Sequence, residues 1–133
     1  MVRNLAERIL SALGYIDSEL SVTIVGDRSM RCLNREYRSI DKPTNVLSFA
    51  MSEGDFPEMN PHLLGDVVIS ADTASREADE QGITFSERLG FLLLHGILHV
   101  TGYDHERSGE EEAKRMERKQ QQLFVLLQRE GLL

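Results

Sequence analysis

The spacing of apolar residues predicts a chain of alternating helices and strands. Leu5, Ile9, Leu10 and Leu13 recur at helical spacing, with Asn4 placed to cap the segment and Gly14 to stop it, so a short amphipathic helix over residues 5–13 is expected first. Residues 20–25 are rich in β-branched side chains and read as a strand, ended by Gly26 and Asp27, with Asp27 the expected N-cap of a second helix. On that helix Met30, Leu33 and Tyr37 fall on an apolar side, and Arg28, Arg31, Arg35 and Arg38 follow spacings of three and four on the other. The Asp41-Lys42-Pro43 turn breaks any continuing helix, and residues 45–51 then read as a strand buried on both faces.

Residues 52–63 contain Gly54, Pro57, Asn60 and Pro61 and read as a long loop, with His62 a loop histidine that lacks a helical partner at ligand spacing. A third strand over 65–71 carries Asp66 at its start, and Asp72 is the expected cap of a helix over 73–81 that stops at Gly82. Thr84-Phe-Ser-Glu87 has the form of a capping box opening the helix that runs to Val100. Ser108-Gly-Glu-Glu111 repeats it before a last helix reaching about Glu130. There Ala113, Met116, Leu123, Phe124 and Leu127 form the expected core stripe, and Glu110 with Lys114 and Glu111 with Arg115 the expected exposed pairs. The pattern predicts an α+β fold, a single domain over residues 1–133 with a small mixed sheet of about three strands covered by helices.

Composition narrows the function classes. With 133 residues, 41% apolar and 28% charged, the chain has the make-up of an ordinary globular domain, which disfavours disorder and repeats. The lone Cys32 cannot form an internal disulfide, and Arg3, Glu7 and Arg8 interrupt the place where a signal peptide needs its apolar run, so a cytoplasmic protein is expected. The longest nearly apolar stretch is too short to span a bilayer, so no membrane partner is expected. A net charge of −7 argues against coating nucleic acid through a general positive field, and any RNA contact has to be local. That gives weight to the arginine stripe: a solvated face is the common meaning of such a run, but guanidinium forks in an acidic chain also suit bidentate phosphate contacts.

The chemistry concentrates in His95-Gly96-Ile97-Leu98-His99, followed by Gly102 and His105. One helical turn separates His95 from His99, placing their Cβ atoms roughly 5–6 Å apart, and Gly102 can turn the chain back to bring a third imidazole, His105. Three neutral imidazoles suit Zn²⁺ and leave a fourth position open, the arrangement of catalytic zinc. The spacing follows the zinc-peptidase pattern H-E-x-x-H-x-x-G-x-x-H, except that Gly96 stands where that pattern has its general-base glutamate. Asp66 and Asp104 are the carboxylates offered to accept the remaining ring N–H groups of bound histidines.

The string HGILHVTGYDH resembles the H-G-x-L-H-L-x-G-Y-D-H signature of the YbeY family of bacterial rRNA-maturation endoribonucleases. Asn34-Arg-Glu-Tyr-Arg38 running on through Asp41 to Phe49, and Leu64-Gly-Asp-Val-Val-Ile-Ser70, are similar to two further motifs of that family, so the likeness spans roughly residues 20–125. The resemblance implies a zinc-dependent, single-strand-specific endoribonuclease with one Zn²⁺ per chain, acting in maturation of the small-subunit rRNA 3′ end and in ribosome quality control. It implies a catalytic role for Arg38 beside the metal, and adds Lys42, Thr44 and Asn45 to Arg28, Arg31 and Arg35 as candidate RNA contacts. Small-subunit ribosomal proteins and an RNA-binding GTPase are the implied partners. Members usually carry a strand ahead of the first helix, and this sequence begins after it, so a sheet one strand narrower is expected. A zinc peptidase-like hydrolase and a non-catalytic ribosome-assembly factor with a structural zinc are the rival readings, and the attacking group, water or a ribose 2′-OH, is left open.

Overall fold

The computed structural model describes residues 1–51, 62–103 and 109–133. Its elements are α1 (Val2–Ala12), β1 (Glu19–Val25), α2 (Asp27–Arg38), β2 (Val46–Ala50), β3 (Leu63–Ser70), α3 (Ala71–Gln81), α4 (Phe85–Val100) and α5 (Gly109–Arg129). The strands form a mixed sheet in the order β1-β3-β2, with β3 parallel to β1 and antiparallel to β2. The expected α+β architecture with three strands is therefore present, and no helix among the described residues is long and apolar enough to cross a membrane.

Successive side chains of β3 point to opposite faces, and this alternation divides the core. Val67 and Ile69 face α4 and α1, whereas Val68 faces the other way and packs with Met30 of α2 and Leu47 of β2. Helix α4 lies between the sheet, α1, α3 and α5. Leu92, Leu93, Leu94, Ile97 and Leu98 are all buried along it, as expected of a helix apolar on nearly every side. Its start is set locally: the Thr84 hydroxyl accepts from the Glu87 backbone N–H at 3.1 Å. Its end is equally local. Gly102 adopts φ +107°, its N–H reaches His99 O at 3.3 Å, and the Tyr103 N–H reaches Leu98 O at 2.9 Å, closing the helix as a Schellman motif.

Several sequence expectations change at element ends. Asn4 lies inside α1 rather than capping it, because the helix already starts at Val2. Asp72 is not the cap of α3; Ser70 is, its hydroxyl accepting from the Thr73 N–H at 3.2 Å. Asp27 likewise begins α2 instead of capping it, with Gly26 at the N-cap. The two aspartates work across the sheet end instead. The Asp27 N–H donates to Asp72 Oδ2 at 2.9 Å. The Asp27 carboxylate accepts from Thr73 Oγ1 at 2.6 Å and Ser70 Oγ at 2.7 Å, and pairs with Arg76 at 2.7 Å. Strand β2 is an edge strand on which only Leu47 is fully buried, short of burial on both faces. In α5, Met116, Leu123 and Leu127 are buried and Lys114 pairs with Glu110 at 3.9 Å, but Arg115 turns to Glu112 rather than Glu111. The loop over 52–61 and the Ser108 cap lie outside the described residues.

The Asp27 cluster makes a prediction about acid stability. The Thr73 hydroxyl, followed by Arg76 and Ser70, holds the carboxyl at about 2 against an ordinary 3.8. A depressed folded-state pKa stabilises the fold above the ordinary value and loses that contribution as pH falls from about 4 through about 2. With the side chain only a quarter exposed, Asp27→Asn should lower stability near neutral pH by about 1–2 kcal/mol and flatten the acid limb between pH 4 and 2. Urea unfolding at stepped pH reads this, and parallel wild-type and variant curves over that window would show that Asp27 does not carry the effect.

Candidate active site

The last two turns of α4 carry His95 and His99 as half-buried side chains. Their rings meet edge to face with centroids 4.7 Å apart, and the two Nε2 atoms are 3.1 Å apart. On its other side His95 Nδ1 lies 2.8 Å from Gln120 Oε1 of α5. A side-chain amide oxygen only accepts, so Nδ1 carries the proton and His95 Nε2 presents its lone pair toward His99. Two Zn–N bonds of roughly 2.0–2.1 Å at a tetrahedral angle separate the nitrogens by about 3.3–3.4 Å. The pair is thus spaced and oriented to share one ion, with an outer hydrogen bond of the kind that orients metal-bound histidines. Among the described residues no third ligand completes a cluster; His105 and Asp104 lie outside them.

Gly96 has a packing explanation. It faces the sheet, and a Cβ there would stand 2.6 Å from Val67 Cγ1 and 3.2 Å from Ser48 Oγ. A glutamate at this position would collide with Val67, so position 96 does not supply a general base of the peptidase kind. Even Gly96→Ala should destabilise the fold: overpacking costs about 1–3 kcal/mol, offset by at most about 1 kcal/mol of helix propensity. Val67→Ala should relieve the clash, giving a favourable coupling of about 1 kcal/mol in a double-mutant cycle. Strict additivity in denaturant melts would mean that the contact is not the cause.

Arg38 ends α2, on the opposite face of the sheet from α4. Both helices nevertheless reach the same stretch of the edge strand. Tyr37 packs edge to face on Phe49 with centroids 5.1 Å apart, while Gly96 abuts Ser48 from the other face. The C-terminal turn of α2 and the histidine turns of α4 therefore bracket one short segment of β2. Asp66, by contrast, alternates with Val67 and so faces α2, which separates it from the histidines, and the hydrogen bond to His95 Nδ1 comes from Gln120.

The family model for Endoribonuclease YbeY matches residues 1–128. The chain belongs to the YbeY family. It is 67% identical to Endoribonuclease YbeY of Geobacter metallireducens and 64% identical to that of Geobacter sulfurreducens, each match covering 99% of this chain and 88% of the relative. The solution structure of TM1509 from Thermotoga maritima aligns with a TM-score of 0.64 and 29% identity over 92% of this chain and 76% of that one.

Within this YbeY chain the motif running from Asn34 to Phe49 is held by contacts that periodicity does not show. Asn34 is buried, and its Nδ2 donates to Lys42 O at 2.8 Å, tying the turn after Arg38 to the helix before it. Ser39 takes the left-handed conformation at φ 59° to end that helix. The candidate RNA contacts separate into two groups. Asp41 receives Arg31 through both of its oxygens at 2.9 and 3.1 Å and lies 3.9 Å from Arg35, and the Arg31 hydrogen bonds hold its carboxyl below the usual range. Among the described residues Arg28 and Arg38 have no ion pair, and Lys42 is exposed. Asn45 is committed elsewhere: its Nδ2 lies 3.3 Å from both Glu77 oxygens, and Glu77 in turn pairs with Arg88 at 3.0 Å. Thr44 is half-buried beside it, and His62 is exposed in the turn before β3.

The contacts of Gln120 with His95 and of Tyr37 with Phe49 were not read from the sequence. Gln120 had a signal, since Met116, Gln120, Leu123 and Leu127 share helical spacing and a glutamine interrupts the apolar stripe. Tyr37 stands inside the Asn34–Arg38 motif, but its helical spacing with Met30 and Leu33 assigned it to the core.

Proposed function

We propose that this chain is a zinc-dependent endoribonuclease that cuts single-stranded segments of ribosomal RNA, in maturation of the small-subunit 3′ end and in ribosome quality control. The observation that carries the reading is the convergence of His95 and His99 Nε2 at 3.1 Å in a chain of an endoribonuclease family. His95, His99 and His105 would hold one Zn²⁺ per chain, which when bound would supply Lewis-acid charge at the scissile phosphate. The protein's own groups do the rest. Gln120 keeps the His95 proton on Nδ1, away from the shared nitrogen pair. Arg38, with no competing carboxylate among the described residues, would stabilise charge growing on the non-bridging phosphate oxygens. Arg28 and Lys42 would add backbone contacts that position the strand without reading its sequence. Small-subunit ribosomal proteins and an RNA-binding GTPase in the cytoplasm belong to the same reading.

The test is a cleavage assay on structured ribosomal RNA with metal-counted protein, run beside a peptide-substrate screen. Cuts in unpaired segments that disappear on chelation and return with zinc are expected, with no peptide hydrolysis. Peptide cleavage, or RNA cleavage indifferent to metal, would count against the proposal.

A further inference from the structure

Tyr37 leaves the core that its spacing assigns it to. Met30, seven residues earlier, is fully buried, yet Tyr37 is 59% exposed. A singly exposed tyrosine is ordinary on a protein surface, so its setting and not its exposure is what points to a role. The ring also has a defined seat. It stands against half-buried Phe49 of the edge strand with planes inclined at 63°, an arrangement that fixes the side chain while leaving much of its surface open. Its chain neighbour is Arg38, a cation without an ion pair among the described residues. Across the same edge, one residue along β2, Ser48 meets the helix of His95 and His99.

A fixed, exposed aromatic beside an unneutralised guanidinium is the combination by which proteins hold single-stranded RNA, the ring taking an unstacked base and the cation its phosphate. We propose that Tyr37 is a base-stacking platform for the RNA substrate, seating the nucleotide whose phosphate Arg38 contacts and so setting which phosphodiester lies over the sheet edge toward the histidines. This rests on the endoribonuclease reading above. It also accounts for single-strand preference. A base in a duplex is already stacked and paired, and must be pulled out before it can lie on Tyr37.

The experiment compares wild type, Tyr37→Phe and Tyr37→Leu in binding a short labelled single strand and a hairpin stem of the same composition, with and without zinc, with a thermal melt for each. Tyr37→Leu should weaken single-strand binding about 5- to 150-fold, the loss of one stacked base, and leave stem binding and melting temperature unchanged. Tyr37→Phe should bind within about twofold of wild type, because the π-face is retained and the hydroxyl is not needed. A strand with one abasic nucleotide, moved along the sequence, should reproduce the loss in wild type at one position and add nothing in Tyr37→Leu. Wild-type affinity in Tyr37→Leu, or an equal loss in Tyr37→Phe, would overturn the platform while wild-type cleavage of RNA still upheld the enzyme. A wild type that neither binds nor cuts RNA would overturn both.

Discussion

His99→Ala should give a folded protein that has lost most of its zinc and with it its ribonuclease activity. The removed ring supplies one of the two nitrogens that stand 3.1 Å apart, so its loss takes away half of the paired grip on α4. Folding should survive, because alanine favours the helix and the surrounding leucines keep α4 in place. Elemental analysis after dialysis should show close to one zinc per wild-type chain and a small fraction of that in the variant. Gln120→Ala offers a graded companion. It leaves every ligand intact and releases only the His95 Nδ1 hydrogen bond, so metal affinity should fall about 10- to 100-fold. Full zinc occupancy in His99→Ala would rule out the site, and unchanged affinity in Gln120→Ala would reduce that glutamine to a packing residue.

What the sequence made legible was whatever neighbouring residues decide among themselves. Thr84 caps α4 and Gly102 closes it because a hydroxyl three residues before a free N–H, and a glycine where φ must be positive, are local requirements. The histidine pair was legible for the same reason, since one helical turn fixes which two rings can meet. Contacts between distant elements were not. Asp27 looked like a cap, and its carboxylate instead gathers Ser70 from the end of β3 and Thr73 and Arg76 from α3. Gly96 looked like a missing base, and it is a point where α4 packs tightly against Val67. Asp66 was a carboxylate the sequence offered to the site, but it lies on the face of β3 turned away from α4, a parity that depends on which face α4 covers. The arginine stripe was one pattern in the sequence and divides in the fold, because Asp41 folds back beside Arg31 and Arg35 and leaves Arg28 and Arg38.

That division sets the second large effect. Arg38→Ala should keep its zinc and its stability and lose about 100- to 1,000-fold in RNA cleavage rate, the scale of losing one aimed charge stabiliser in an active site. The zinc is spared because Arg38 sits on α2, across the sheet from the ligands. Stability is spared because the side chain is exposed and has no ion pair among the described residues, where substitutions usually cost no more than about 0.5 kcal/mol. Arg38→Lys should recover only part of the rate, since an ammonium restores charge but not the planar fork that binds two phosphate oxygens at once. Arg31→Ala is the control within the stripe. Its guanidinium is already engaged by Asp41, so its removal should change cleavage far less, and what it does change should diminish as salt screens the RNA. Single-turnover cleavage at saturating enzyme separates the two arginines, because a residue acting at the phosphate lowers the rate there and one that only gathers the strand does not. If Arg38→Ala cuts at the wild-type rate under those conditions, the guanidinium has no part in the chemistry, and the arginine at the end of α2 is a surface cation like Arg28.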